Sequence, residues 1–103
     1  MASILEVVEG MQYQTSDEEM VYTITTTNVA SSPSSPAVVA YDEGNETAVT
    51  TTVFPTNTPS AATDTITLSP LKSLTKGHVY RIEVKFTVGS SIYERYFRVT
   101  CER

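Results

Sequence analysis

The chain contains one histidine and one cysteine among its 103 residues, which limits the chemistry available to it. A tetrahedral zinc site needs several His or Cys ligands, so His78 and Cys101 cannot supply one. Cys101 ends an alternating apolar stretch, which predicts a buried structural thiol and not the nucleophile of a Cys–His pair. His78 lies in a predicted turn, where we expect its ring in solvent. We therefore assign no catalytic residue and predict a non-enzymatic chain that needs no cofactor.

Carboxylates cluster at residues 17–19 and in a predicted turn at 42–46. Paired carboxylates can exchange protons with a substrate, but on loops and strand edges a solvated acidic surface is the ordinary interpretation. The turn also offers the oxygen ligands that calcium prefers, although their spacing is not that of an EF-hand. A plain solvated turn is the alternative. The candidate calcium ligands are Asp42, Glu43, Asn45 and Glu46.

Tyrosine and arginine side chains lie close together on the predicted last strand. Aromatic and basic residues of this kind are enriched where proteins bind one another. Packing of the same side chains against Arg81 and Lys85 of a neighbouring strand is the alternative. The candidate partner-contact residues are Tyr93, Arg95, Tyr96 and Arg98.

The net charge of −5 is distributed unevenly along the chain. Residues 1–71 carry nine acids and no Lys or Arg, whereas residues 72–103 carry all seven basic residues and three acids. An acidic chain is a poor ligand for the phosphate backbone of nucleic acid. The hypothesis that follows is a homo-oligomeric head-to-tail assembly, in which the basic last hairpin of one copy contacts the acidic early strands of another. Neutralisation of the two parts within one monomer is the alternative.

The first nine residues do not read as a signal peptide, because no basic residue opens them and acids interrupt their apolar run. No window approaches the apolar length of a membrane span. We therefore expect synthesis in the cytoplasm and no membrane partner. The single cysteine excludes an internal disulfide, so the fold must depend on its apolar core.

Period-two alternation and closely spaced turn residues predict about seven strands and no helix. An edge piece is also predicted around Tyr13, and polar loops at 28–35 and 55–63. This pattern predicts one all-β domain over residues 1–103, an immunoglobulin-like antiparallel β-sandwich. The predicted strands span 4–8, 19–27, 37–42, 47–54, 64–68, 79–88 and 92–101.

A tyrosine corner is predicted just before the strand at 79–88. Leu74, Gly77 and Tyr80 follow one another at intervals of three residues. In immunoglobulin-like sandwiches such a tyrosine hydroxyl reaches back to the backbone a few residues upstream, here Leu74 or Thr75. Gly77 would supply the backbone freedom of the turn. This motif stabilises the scaffold and indicates no chemistry.

Longer stretches extend the likeness beyond the corner. Residues 66–86, the run 93–99 and the strand at 19–27 with its following Ser-Ser-Pro-Ser-Ser-Pro together resemble small immunoglobulin-like, fibronectin III-like structural proteins of tailed phages and prophages. The resemblance implies a non-enzymatic, virion-associated module of the head–tail, tail or fibre-attachment region, with protein partners. It implies no catalytic or binding residues. The alternative function is a carbohydrate- or surface-binding accessory domain that would use the loops at 28–35 and 55–63.

Overall fold

A computed structural model describes residues 12–25 and 32–102, and the structural statements below concern these residues. The strand predicted at 4–8 and residues 28–31 of the first predicted loop lie outside them. The described elements are β1 (Gln12–Gln14), β2 (Thr23–Thr25), β3 (Ser34–Asp42), β4 (Thr47–Ala48), α1 (Thr50–Val53), β5 (Ser60–Ala62), β6 (Thr65–Thr67), β7 (Val79–Val88) and β8 (Ser91–Cys101). No helix in this part of the chain is long and apolar enough to cross a membrane.

The strands form two sheets that enclose the core. One sheet has the order β1-β8-β7-β3-β4 and the other the order β2-β6-β5. Every pairing is antiparallel except that of β1 with β8, which is parallel. The predicted all-β sandwich is confirmed.

The β7–β8 hairpin provides most of the larger sheet's contribution to the core. Its strands pair over their full length and turn through Gly89, whose φ of 60° fits the first position of a two-residue type II′ turn. Alternation sends every second side chain toward the other sheet, where Ile24 and Ile66 pack. The buried residues of the hairpin are Tyr80, Ile82, Val84, Phe86, Phe97, Val99 and Cys101.

The strand predicted at 47–54 is wrong beyond Ala48. β4 ends there and α1 follows at Thr50–Val53. Val53 and Phe54 are consecutive in sequence, yet both are buried. A strand would point one of the two outward, because its side chains alternate between faces. Leaving the extended conformation lets both side chains enter the core.

Three other predicted boundaries differ from the structure. The loop predicted at 55–63 contains β5, which pairs with β6. The strand predicted from residue 19 has its regular part only at Thr23–Thr25, after an isolated bridge between Met20 and Leu71. β3 begins at Ser34, inside the predicted proline-rich loop, and its register with β7 shifts between Ser34 and Ala37. Pro36 lies within this shift, where a residue without an N–H is tolerated.

The outer edge of β3 is capped by the segment that leaves β4. β4 pairs only with the last two residues of β3. Beyond it, the Ala40 carbonyl accepts a hydrogen bond from the Val49 amide (2.9 Å), and the Ala40 amide donates to Thr50 Oγ1 (3.0 Å). The Asn57 amide nitrogen donates to the Val38 carbonyl (3.0 Å). This edge therefore offers few free backbone groups to another strand.

Candidate functional site

The predicted tyrosine corner is present. The Tyr80 hydroxyl accepts a hydrogen bond from the Thr75 amide at 2.7 Å, and Leu74 is buried beneath the turn. Gly77 has a φ of 85°, a left-handed conformation that favours glycine. The corner holds the entry to β7 in place, and its atoms are engaged in structure.

The acidic turn after β3 lies against the corner. Asp42 Oδ2 is 2.6 Å from His78 Nδ1, and Asp42 Oδ1 accepts a hydrogen bond from the Gly44 amide at 3.1 Å. His78 is exposed, as predicted, with almost half of its side chain in solvent, but the predicted turn did not indicate that its ring contacts Asp42. Asp42 follows the inward alternation of Val38 and Ala40, which brings its carboxylate to the end of the core next to this ring.

The other carboxylates of the turn bind arginine. The Arg81 guanidinium donates to Glu46 (3.0 Å), Glu83 (2.9 Å) and Glu43 (3.3 Å), and Arg98 Nε donates to Glu43 at 3.2 Å. The hydrogen bond to Glu46 is the main factor that raises the pKa of Arg81, against the opposite effect of partial burial. The acidic first part and the basic second part of the chain thus meet within one molecule here.

These contacts occupy the oxygens that were candidate calcium ligands. Asp42 faces His78, Glu43 and Glu46 face the arginines, and Asn45 Oδ1 accepts a hydrogen bond from the Thr47 amide at 3.1 Å. In residues 12–25 and 32–102, no three His, Cys, Asp or Glu side chains form a group that could hold a metal ion. The turn joins β3 to β4, and its carboxylates bind His78, Arg81 of β7 and Arg98 of β8.

A shallow cavity of about 510 Å³ lies beside the His78–Asp42 pair. Such a pair can orient an imidazole as a base, but it then needs a nucleophile or a substrate proton within reach. The described residues that line this cavity include no Ser, Thr, Cys or Lys; they are Asp42, Glu43, Gly44, Asn45, Gly77, His78 and Val79. Cys101, the candidate nucleophile of a Cys–His pair, is buried.

The structure divides the four candidate partner-contact residues between two faces. Tyr93 pairs across the hairpin with the buried Phe86 and stacks on its ring at 5.8 Å between centroids. Arg95 is on the same side, with its guanidinium 5.9 Å from the Tyr93 ring centroid. Both belong to the core-facing side. Tyr96 and Arg98 point away from the core, on the opposite side of the sheet.

We call this opposite side of the five-stranded sheet the outer sheet face. Cross-strand pairs share a face, so the register of β1, β3, β7 and β8 identifies its members. The Arg81 guanidinium lies 5.0 Å from the Tyr41 ring centroid, and that of Arg98 lies 5.6 Å from the Tyr96 centroid. The main side chains of the face are Tyr13, Val39, Tyr41, Arg81, Glu83, Lys85, Ile92, Glu94, Tyr96 and Arg98.

Three of the large apolar side chains that the described residues leave exposed lie on this face. Their exposed fractions are 69% for Ile92, 60% for Tyr13 and 38% for Val39. Exposed apolar groups among tyrosine and arginine are the composition of protein contact surfaces. The outer sheet face is therefore the candidate functional site. The sequence reasoning missed Val39 and Tyr41, which the alternation of β3 with the buried Val38 and Ala40 could have revealed.

A second cavity, of about 340 Å³, lies between the edges of the two sheets and is lined by β2 together with Gln12, Val21, Tyr22 and Phe97. Next to it, the Tyr22 hydroxyl donates to Gln14 Oε1 at 2.8 Å. Burial raises the pKa of Tyr22, and the negative charge of Glu18 adds to this shift. No sequence pattern indicated this contact, because a glutamine in a short polar strand resembles a surface residue.

No protein-family model matches the chain, and neither a curated protein nor a solved structure matches it.

Proposed function

We propose that this chain is a non-enzymatic assembly module that binds protein through its outer sheet face, as a structural component of a tailed phage or prophage virion. The observation that carries the proposal is the outer sheet face itself. It presents Ile92, Val39 and Tyr13 to solvent beside two arginine–tyrosine stacks. A sheet that served only as a scaffold would be expected to cover its outer side with short polar residues.

The arginines of the face are already held in place. Arg81 is fixed by three carboxylates and the Tyr41 ring, and Arg98 by Glu43 and the Tyr96 ring. A partner would therefore meet side chains whose rotamers are largely set. Less conformational entropy is lost when such groups are immobilised on binding.

The polar groups of the described chain support a binding role more than a catalytic one. The carboxylates of the turn are engaged with His78, Arg81 and Arg98, and the cavity beside His78 is lined by no nucleophile among the described residues. The virion setting rests on the resemblance of residues 66–86 and 93–99 to phage structural proteins. In that setting the module would belong to the head–tail, tail or fibre-attachment region.

Mass spectrometry of gradient-purified phage particles, from the organism that carries the gene, tests the setting. We expect peptides of this chain at a fixed ratio to the major capsid protein, well above those of abundant host proteins. Absence of the chain from purified particles would overturn the virion assignment.

Two matched substitutions test the use of the face. Ile92→Asp places a charge on the outer sheet face, whereas Val21→Asp places one at a similarly exposed position near the β1–β2 cavity (55% exposed). We expect the first variant to be lost from particles and the second to be retained. Retention of both at the wild-type ratio would contradict binding through this face.

A further inference from the structure

We infer that the outer sheet face binds a second copy of this chain around a two-fold axis, so that Lys85 of each copy lies on Glu94 of the other. The inference rests on the proposed function, since it names the partner of the same face. It concerns the chain's own association, which can be measured apart from any particle.

The first observation is a pair of opposite charges without an ion-pair partner. Lys85 and Glu94 are directly opposite each other in the β7–β8 register, and both are exposed. Within residues 12–25 and 32–102 neither side chain forms an ion pair, whereas Arg81 and Arg98 on the same face are engaged by carboxylates. Arg81 and Arg98, at the end of the face near the acidic turn, are neutralised within the chain. Lys85 and Glu94, nearer the turn of the β7–β8 hairpin, are available to a partner.

The second observation is the symmetry of this arrangement. Consider a two-fold axis in the interface, parallel to the strands and between β7 and β8. It places β7 of one copy over β8 of the other at the same height, so each β7 residue faces the residue that is its cross-strand partner in its own chain. Lys85 then meets Glu94 twice, once on each side of the axis. Such an isologous contact is closed, as in most homodimers.

The neighbouring pairs of the face are compatible with this contact. Thr87 would face the exposed Ile92, and Glu83 would face Tyr96. Arg81 would face Arg98, but each already has a carboxylate of Glu43 beside it. Packed sheets lie about 10 Å apart with nearly aligned strands, a separation that paired Lys and Glu side chains can span.

The overall charge of the face also permits two copies to meet. Its three cations are Arg81, Lys85 and Arg98. They are set against Glu83 and Glu94 of the face and against Glu43 and Glu46, which reach the arginines from the acidic turn. A nearly neutral face does not strongly repel an identical one, whereas a strongly charged partner would gain little from it. The exposed Ile92 and Val39 would be covered in the same contact.

Analytical ultracentrifugation of the whole chain over a range of concentrations and salt tests the inference. We expect a monomer–dimer equilibrium that weakens as salt screens the two ion pairs. Lys85→Glu and Glu94→Lys each place like charges in both contacts, so each should weaken dimerisation on the order of ten-fold or more. Lys76→Glu and Asp17→Lys make the same charge changes at exposed turn residues away from the face and should leave the dimer unchanged.

The decisive sample is an equimolar mixture of the two single variants. In a mixed dimer the two substituted positions face each other on one side of the axis, as a glutamate opposite a lysine. On the other side the unchanged Glu94 of one chain faces the unchanged Lys85 of its partner, so both ion pairs are restored. We expect the mixture to dimerise like wild type, as should the Lys85→Glu/Glu94→Lys double variant. The restored partners are on different chains in the mixture, so a change within one monomer would not produce this recovery.

Several outcomes would overturn the inference. These are a wild-type chain that stays monomeric at every concentration and salt, single variants that dimerise like wild type, or a mixture that stays monomeric. Circular dichroism melting of each variant at low concentration would show that its fold is retained. A monomeric chain found in purified particles would overturn the dimer and leave the proposed function. A dimeric chain that is absent from purified particles would leave the dimer and overturn the virion assignment.

Discussion

At the residue scale, the Gln14 side chain of β1 holds together three segments that precede β2 or follow β6. Its amide nitrogen donates to the Leu71 carbonyl (2.8 Å) and the Glu18 carbonyl (3.0 Å), and its oxygen accepts from the Tyr22 hydroxyl. The side chain is only 1% exposed, yet its donors and acceptor are used. A buried amide is tolerated when its hydrogen bonds are made, and it then fixes the position of its neighbours.

Tyr22 should give the unfolding free energy a pH dependence in the alkaline range. Its pKa is raised in the folded chain, by burial first and by Glu18 second. Above about pH 10, where an ordinary tyrosine ionises, the unfolded chain loses this proton while the folded chain keeps it. The unfolded state then binds fewer protons, so the contribution of Tyr22 is complete below about pH 10 and declines above it.

Urea unfolding at a series of pH values measures this decline. Tyr22→Phe cannot ionise at this position and should show a shallower decrease above about pH 10 than wild type. Tyr13→Phe, which removes an exposed hydroxyl, should keep the wild-type slope. Equal slopes in Tyr22→Phe and wild type would contradict the prediction.

The hydroxyl of Tyr80 should contribute a measurable part of the stability. Tyr80→Phe keeps the buried ring and leaves the Thr75 amide without its partner. We expect a loss on the order of 1 kcal/mol, with the fold retained, which is typical of a hydrogen bond. The urea midpoint measures it. Tyr93→Phe provides the comparison, because the Tyr93 hydroxyl makes no hydrogen bond within residues 12–25 and 32–102. A midpoint that matches that of Tyr93→Phe would mean that the corner bond contributes nothing.

At the element scale, the caps on the edge of β3 both stabilise the chain and limit its pairing with another chain. Asn57 and Thr50 occupy backbone groups of Val38 and Ala40 that a neighbouring strand would otherwise use. An uncapped edge is a template for pairing with another chain. The Asn57→Ala/Thr50→Val variant should therefore aggregate faster than wild type on mild heating, as measured by light scattering.

Asn45→Ala is the control for this prediction, because Asn45 caps only its own turn. The unfolding free energy of the edge variant should fall by roughly 1–3 kcal/mol, because buried polar groups are left unpaired. The edge variant should still aggregate faster than a variant that loses the same unfolding free energy but keeps both caps. Aggregation no faster than that of Asn45→Ala would show that the caps do not protect the edge.

The elements could be predicted where buried and exposed residues alternate regularly along the sequence. The strict pattern of β7 and β8 indicated the long hairpin, its turn and its buried side chains, and the 74–80 spacing indicated the corner. α1 was missed because its four threonine and valine residues favour a strand locally, and only the joint burial of Val53 and Phe54 opposes it. β5 was missed because a three-residue edge strand of small residues has almost no sequence signal.

The candidate site was less predictable than the fold. The outward position of Tyr96 and Arg98 follows from the sequence, since they alternate with the buried Phe97 and Val99. Tyr93 and Arg95 were grouped with them by proximity in sequence, although the register with Phe86 and Val84 puts them on the other side. The contacts of Arg81 with Glu43 and Glu46 depend on how the turn folds back over β7, which no local pattern specifies.

At the scale of the whole molecule, part of the charge that is separated along the chain is neutralised at one place in space. Arg81 and Arg98 bring the basic second part onto Glu43 and Glu46 of the acidic first part. The contacts behind the head-to-tail hypothesis are thus partly used within each monomer. Sequence position alone could not distinguish the two arrangements.

Arg81→Gln should therefore destabilise the monomer by about 2 kcal/mol, because it leaves Glu46 and Glu83 without their hydrogen-bonded cation and leaves Glu43 with Arg98 alone. Added salt should narrow the difference from wild type, since it screens the repulsion among these carboxylates. Urea unfolding at low and high salt measures both effects. Lys76→Gln, at an exposed turn, should change stability by less than about 0.5 kcal/mol. A loss as small as that of Lys76→Gln would contradict a central role for Arg81.

The parallel pairing of β1 with β8 has a consequence for the order of folding. Residues 12–14 find their neighbours at 99–101, almost the full described length of the chain away. During synthesis on a ribosome, β1 must wait until nearly every other strand has been made before its own hydrogen-bond partner exists. Contacts between distant positions slow folding, because a long loop must close before they form. A nascent chain that lacks β8 would therefore hold Gln14 beside an unfinished sheet, and the synthesis of β8 would set the moment at which the sandwich can close.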